Sequence, residues 1–243
     1  MRERLPKKEG LLNLRTASGD IKMPPRHGHA VLRMRRASTE PNADWNIEER
    51  LRTSYCDFHC GYIATASGLC GLVWTNTARY PQRLLRFYPA CRNRRLLGRI
   101  IRDEYPTAKM FAKALPIWLG PLQRFLIAYY SDAIKPAAWV PLPWPWLVAH
   151  LHWDGQTEFG RKVLVATFKI KTGTTISYGE LARRIGRPRA ARAVGGALAR
   201  NPWPVIIPCH RVIGSDGAMT GFSGYGAVAA KRWMLEMERL RRT

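Results

Sequence analysis

The sequence predicts a protein in two parts. An α/β N-terminal domain (a small sheet with helices) is followed by a mostly α, winged-helix-like C-terminal domain with a helix-turn-helix. Two observations predict this. Tyr55 to Thr65 and Leu69 to Thr75 are aromatic and β-branched runs joined by Ser67-Gly68, the pattern of paired strands around a turn. Further on, Ser177-Tyr178-Gly179-Glu180 has the form of a capping box, with a glycine stop and a proline start close behind it.

The elements follow in order. Residues 1–45 carry scattered Arg, Lys, Pro and Gly without periodicity and read as a basic, disordered tail. The N-terminal domain is expected over 50–145. After the two strands, 79–113 reads as partly helical and very basic, with ten Arg or Lys against two acids, and Pro106 opens a second segment. Residues 114–135 read as an apolar helix broken by Pro116 and Pro121, and Pro141 to Trp146 as a stiff connector. The C-terminal domain is expected over 150–241. Its first helix is Phe159 to Thr167, with Gly160 softening it. In the capping box the Ser177 hydroxyl takes the Glu180 N–H and the Glu180 carboxylate reaches back. Leu181, Ala182 and Ile185 make a buried stripe, and Gly186 suits a left-handed stop. Pro188 suits the start of the next helix, whose inner face is Ala190, Val194, Ala197 and Leu198.

Composition narrows the function. Forty Lys and Arg against seventeen Asp and Glu give a formal charge of +23, which favours a polyanionic partner. The most apolar stretches, 117–130 and 137–153, are interrupted by proline and polar residues and are too short to span a bilayer, so no membrane role is expected. Five cysteines are an odd set for a disulfide framework, and a reduced intracellular setting is expected: cytoplasmic in a bacterium, nuclear in a eukaryote. Cys56, His59 and Cys60 lack a second ligand pair, so buried thiols are expected there and no metal. Residues 161–200 hold ten Arg or Lys and one acid, Glu180. Arg189, Arg192 and Arg200 fall on the outer face of the second helix, while Ala191, Ala193, Gly195 and Gly196 keep its surface low enough for a DNA backbone to approach.

The chemical centre is Pro208-Cys209-His210-Arg211, after the apolar run Val205-Ile206-Ile207. A thiol becomes a strong nucleophile only as thiolate, which needs a base or a positive field. His210 could act through a water, and a carboxylate behind it would fix its tautomer. The acids downstream are Asp216, Glu236 and Glu238.

The stretches Asn201 to Gly214, Gly221-Phe222-Ser223-Gly224 and Lys231-Arg232-Trp233-Met234-Leu235, with the upstream 177–182 and 190–196, closely resemble the O6-alkylguanine-DNA alkyltransferase family over about residues 153–240. The resemblance implies double-stranded DNA with alkylated bases as partner, no cofactor, no metal and a monomer. It implies Cys209 as alkyl acceptor, His210 as base through water, and Asn201 as the bridge from the helix-turn-helix to the acceptor loop. Glu238 stands five residues after Trp233, where the family has its carboxylate, with Glu236 the competitor. Tyr178 is implied in turning and contacting the base, and Arg192 in filling the emptied stack. Ala191, Ala193, Gly195 and Arg189 are implied at the DNA surface, and Val212 and Ser223 with Tyr178 in the base pocket. Gly224-Tyr225-Gly226 carries two extra residues before Lys231, a departure that bears on substrate range, and Arg187 replaces the usual Asn, losing a helix cap and adding a phosphate contact. Two other readings stand beside repair: a silent lesion-binding or regulatory protein of the same fold, and a cysteine hydrolase.

Overall fold

In the computed structural model, residues 57–110, 115–131, 142–219 and 227–242 are described. All lie within one unit, Trp45–Thr243. The expected tail at 1–45, Cys56, Ser223 and the Tyr225-Gly226 insertion fall outside the described residues.

Strands β1 (Phe58–Thr65) and β2 (Gly68–Thr75) pair antiparallel around Ser67-Gly68. Gly68 is required at this turn: its φ is +134°, and a Cβ would stand 2.7 Å from the Cys91 carbonyl oxygen. A third strand, β3 (Arg83–Cys91), pairs antiparallel with β2 inside the stretch expected to be partly helical. The correction has a physical cause. The β2–β3 register shifts between Leu69 and Gly71 and again between Val73 and Trp74. Those shifts break the strict alternation of buried residues and leave Leu84, Leu85, Phe87 and Tyr88 spaced as on a helix. Helix α1 (Arg94–Glu104) follows, capped by the Asn93 side chain on Leu96 N–H, and β4 (Lys109–Met110) joins β1 in parallel. The sheet order is β3-β2-β1-β4.

Two prolines sit at helix starts instead: Pro121, expected to break a helix, and Pro145, expected in a stiff connector. After a 3-10 turn at Ile117–Leu119, α2 (Gly120–Tyr129) has Pro121 in its first turn. The expected connector is helical from Trp144: α3 (Trp144–His150) begins on Pro143 with Pro145 in its first turn, while Pro141 is outside the described residues. In both cases the missing proline N–H falls where a helix has no acceptor for it.

The C-terminal half holds α4 (Glu158–Phe168), β5 (Ile176–Ser177), α5 (Tyr178–Arg184), α6 (Ala191–Ala199), a 3-10 turn at Cys209–Arg211, β6 (Val212–Ile213) and α7 (Ala227–Arg242). Thr157 caps α4 by accepting the Gly160 N–H at 3.0 Å. Ser177 Oγ accepts the Glu180 N–H at 3.1 Å, while the Glu180 carboxylate is held by Arg183 and Arg184. Gly186, at φ +72°, ends α5 in a Schellman pattern, with Gly186 N–H on Arg183 C=O and Arg187 N–H on Ala182 C=O. Helix α6 begins at Ala191, three residues after Pro188, because Ala190 N–H closes a turn on Arg187 C=O before the first helical bond forms. Arg189 therefore sits in the turn before α6.

The two halves share one core. Ile63, Leu72, Trp74, Leu122 and Leu126 belong to the same buried cluster as Val163, Leu181, Val194, Ile207 and Met234. The outer edge of β3 is covered by the C-terminal half: Phe87 N–H donates to Pro202 C=O, while His152 N–H and Trp203 Nε1 both donate to Leu84 C=O. Among the described residues no helix is long and apolar enough to cross a membrane.

Candidate active site

The acceptor segment is held from both ends. Downstream of Cys209, β6 pairs in parallel with β5, matching Ile176 to Val212 and Ser177 to Ile213, so the helix-turn-helix and the thiol segment share a ladder. Upstream, the loop 201–208 is lashed by Asn201. Its Nδ2 donates to Ile207 C=O at 2.9 Å and its Oδ1 accepts Trp203 N–H at 3.0 Å. Between these bonds Val205 has φ +72°, costly for a β-branched residue and held by the surrounding contacts. Asn201 follows the Arg200 cap of α6, so one side chain links the end of the second helix to the loop ahead of Cys209.

Cys209 is buried, only 6% exposed. Burial pushes its thiol up from the ordinary range. The Asn201 side-chain hydrogen bond, the Lys231 charge and the backbone at Cys209 and His210 pull the other way without reversing it. At neutral pH the sulfur therefore rests as a thiol and must lose a proton to react.

The proton acceptor stands next to it in sequence. His210 is fully buried, and burial lowers its basicity against the opposing pull of Glu238, so the ring rests neutral. Its Nε2 lies 2.9 Å from Glu238 Oε1. An ionised carboxylate only accepts, so Nε2 carries the hydrogen and Nδ1 keeps the lone pair. Nδ1 is buried without a hydrogen-bond partner among the described residues.

Glu238 is wholly buried and takes five hydrogen bonds. Oε1 accepts from His210 Nε2, Arg211 Nη2 at 2.8 Å and the Tyr129 hydroxyl at 3.1 Å. Oε2 accepts from Arg211 Nε at 2.8 Å and Gly173 N–H at 3.1 Å. Burial alone would push this carboxyl up, but His210 and the two-point grip of Arg211 hold it well below the usual carboxylate range. Arg211 is fixed in turn by Ile170 C=O at 2.6 Å and Thr172 Oγ1 at 3.0 Å. Glu236, the alternative carboxylate, is exposed and paired with Arg239.

The remaining expected positions divide into a buried and an exposed set. Tyr178 opens α5 half-buried; a Cβ on Gly195 would meet its ring at 3.8 Å, and Lys231 Nζ lies 5.8 Å from the ring centre. Val212 is buried. Arg189, Arg192 and Ala193 are exposed, and Ala191 and Gly195 are half-buried. Three residues without an expected role belong to the site: Arg211, Tyr129 and Lys231. Lys231 is buried and donates to Val212 C=O at 2.6 Å, with burial lowering its basicity. Arg211 and Lys231 lie within the motif stretches themselves, a readable signal for two of them; Tyr129 had none. His59, in the stretch weighed for zinc, stacks on Trp74, and the Cys60 thiol donates to Ala108 C=O at 3.9 Å. Among the described residues no three His, Cys, Asp or Glu side chains are grouped to hold a metal ion.

Fold and site together define a class: a helix-turn-helix domain whose interior holds a cysteine beside a histidine–carboxylate couple, packed on a small sheet domain. The family of the 6-O-methylguanine DNA methyltransferase, DNA binding domain, matches residues 158–240. The chain is 48% identical over 115 residues to the methylated-DNA–protein-cysteine methyltransferase of Mus musculus, covering 47% of this chain and 52% of that protein. It is 48% identical over 84 residues to the protein of that name in Salmonella typhimurium, covering 35% and 48%. The matched segment thus spans about half the length of these curated relatives. The crystal structure of Mycobacterium tuberculosis O6-methylguanine methyltransferase is similar with TM-score 0.55 and 30% identity, over 76% of this chain and 94% of that one. The chain belongs to the O6-methylguanine-DNA methyltransferase family.

Proposed function

We propose that the protein repairs alkylated double-stranded DNA by direct reversal. It moves an alkyl group irreversibly from O6 of guanine, and from O4 of thymine as a second substrate, to Cys209, once per molecule, as a monomer and without a cofactor. One observation carries this reading: a thiol, an amide, an imidazole and a carboxylate meet inside a helix-turn-helix domain whose exposed residues are strongly cationic.

The chemistry follows from the resting protonation states. Cys209 gives its proton through a water to His210 Nδ1, and the ionised Glu238 stabilises the imidazolium formed. The Asn201 amide steadies the thiolate. The sulfur attacks the alkyl carbon; the S–C bond forms as the C–O6 bond breaks. The electron pair stays on the purine, which takes up one proton and leaves as guanine. The thioether has no proton to lose and no leaving group of comparable quality, so the centre does not regenerate.

A buried thiol cannot reach a base within the duplex, so the nucleotide has to be turned out at a cost of a few kcal/mol. Arg192, exposed on α6, offers a planar guanidinium to the emptied stack. Ala191, Ala193 and Gly195 let the backbone come close, and Arg189 meets a phosphate. Tyr178 and Val212 line the base pocket.

Incubation with duplex containing O6-methylguanine, followed by intact-mass and peptide mapping, is expected to show one methyl group per chain, on the Cys209 peptide. Lesion binding without transfer would overturn the repair reading in favour of a silent binder. Arg192→Ala is expected to slow transfer from duplex by about tenfold or more, the scale of the extrusion cost, and to leave reaction with free O6-benzylguanine near the wild-type rate. Equal losses on both substrates would remove Arg192 from base extrusion.

A further inference from the structure

The carboxylate behind His210 is gripped from the sheet side of the molecule as well as from its own half. Tyr129 closes α2, on the N-terminal side of the fold. Its ring is buried against Phe125 and Tyr130, edge-on to His210 at 6.4 Å, and its hydroxyl donates to Glu238 Oε1 at 3.1 Å and lies 3.4 Å from His210 Nε2. The end of α2 is pinned from α7: Arg241 donates to Tyr129 C=O at 2.6 Å and to Ser131 C=O at 2.7 Å. The phenol is thus delivered to one carboxylate oxygen by a clamped helix end.

We infer that Tyr129 is a positioning residue for the His210–Glu238 couple, its hydrogen bond setting how strongly the carboxylate holds the imidazole and so how readily His210 takes the thiol proton. The inference rests on the repair reading above for its kinetic consequence. Three donors share Glu238 Oε1: the imidazole, Arg211 and the phenol. Each withdraws negative charge from that oxygen. Removing the phenol leaves more of it on the imidazole side, which stabilises the imidazolium and makes the resting ring easier to protonate. A ring already protonated cannot accept from Cys209. Burial pushes the phenol's own ionisation far above neutral pH, so it stays a donor throughout. The charged or titratable groups facing the couple are Cys209, Arg211, Lys231, Tyr129 and, through Tyr129 and Glu238, Arg241.

The test is Tyr129→Phe, which keeps the ring and its packing. NMR titration of the His210 imidazole is expected to show its midpoint raised by about half a unit or more, well within the range that one hydrogen bond to a partner carboxylate can produce. In the rate–pH profile with free O6-benzylguanine, the acid limb moves up by the same amount. Site-specific 3-fluorotyrosine at position 129, a stronger donor in the same ring, moves the midpoint down. A midpoint that stays put in both proteins overturns the inference, whatever happens to the melting temperature. Wild-type protein that accepts no alkyl group overturns the repair reading instead, and the NMR midpoints still decide the role of Tyr129.

Discussion

Cys209→Ser is expected to take up no label from duplex carrying labelled O6-methylguanine, while binding that duplex as wild type does. Serine keeps nearly the same volume in a buried site, so the acceptor loop and its Asn201 lashing should survive. The hydroxyl is far less acidic than a thiol, and the same neighbours that only partly offset burial for sulfur cannot ionise it. The loss should therefore be complete, below the detection limit of a labelling assay. Label on a Cys209→Ser chain would place the acceptor elsewhere, and Cys60, Cys70 and Cys91, all buried in the sheet half, would need to be mapped.

The second large effect is on stability. Arg211→Met keeps the stem of the side chain and removes the cation that grips Glu238 at two atoms, leaving a buried carboxylate without its charge partner. Breaking a buried pair on one side costs about 3–5 kcal/mol. In a chain of this size that lowers the melting temperature by roughly 10 °C. The pH dependence has a definite sign. In the wild type the Glu238 carboxyl is depressed, so its stabilisation is present above the unfolded value near 4.5 and is lost only as pH falls through the lower folded value. In the variant the carboxyl rises, and protonation relieves it. The gap between the two proteins should thus be widest near neutral pH and narrow below about pH 5. Melting curves from pH 4 to pH 8 measure it; a constant gap would mean that Arg211 acts through packing alone.

Local signals made much of this architecture legible. The β1–β2 turn, the Ser177 cap, the Gly186 stop and helix α4 each depend on a few adjacent residues. Strand β3 was hidden because bulges spoil the alternation that marks a strand. The prolines at 121 and 145 misled because a proline at a first turn looks like one that breaks a helix or stiffens a connector until the start is known. The site divides the same way. Cys209 and His210 are adjacent, and Glu238 stands at a set distance from Trp233, so a linear pattern could carry all three. Arg211 lies in the motif itself, yet its task appears only when α7 brings Glu238 back across 27 positions. Tyr129 and Glu238 are 109 positions apart, and nothing local marks either for the other.

That span has a consequence for how the molecule comes to life. Contacts between distant positions form late, since the intervening chain must be ordered before they are rewarded. The Tyr129–Glu238 bond, the Arg241 clamp on α2 and the Trp203 bond to Leu84 bridge 109, 112 and 119 positions. Glu238 lies on α7, so until that helix docks His210 lacks its carboxylate. Until then Cys209 has no assembled histidine–carboxylate couple beside it, so the centre is completed only by the last contacts of the fold.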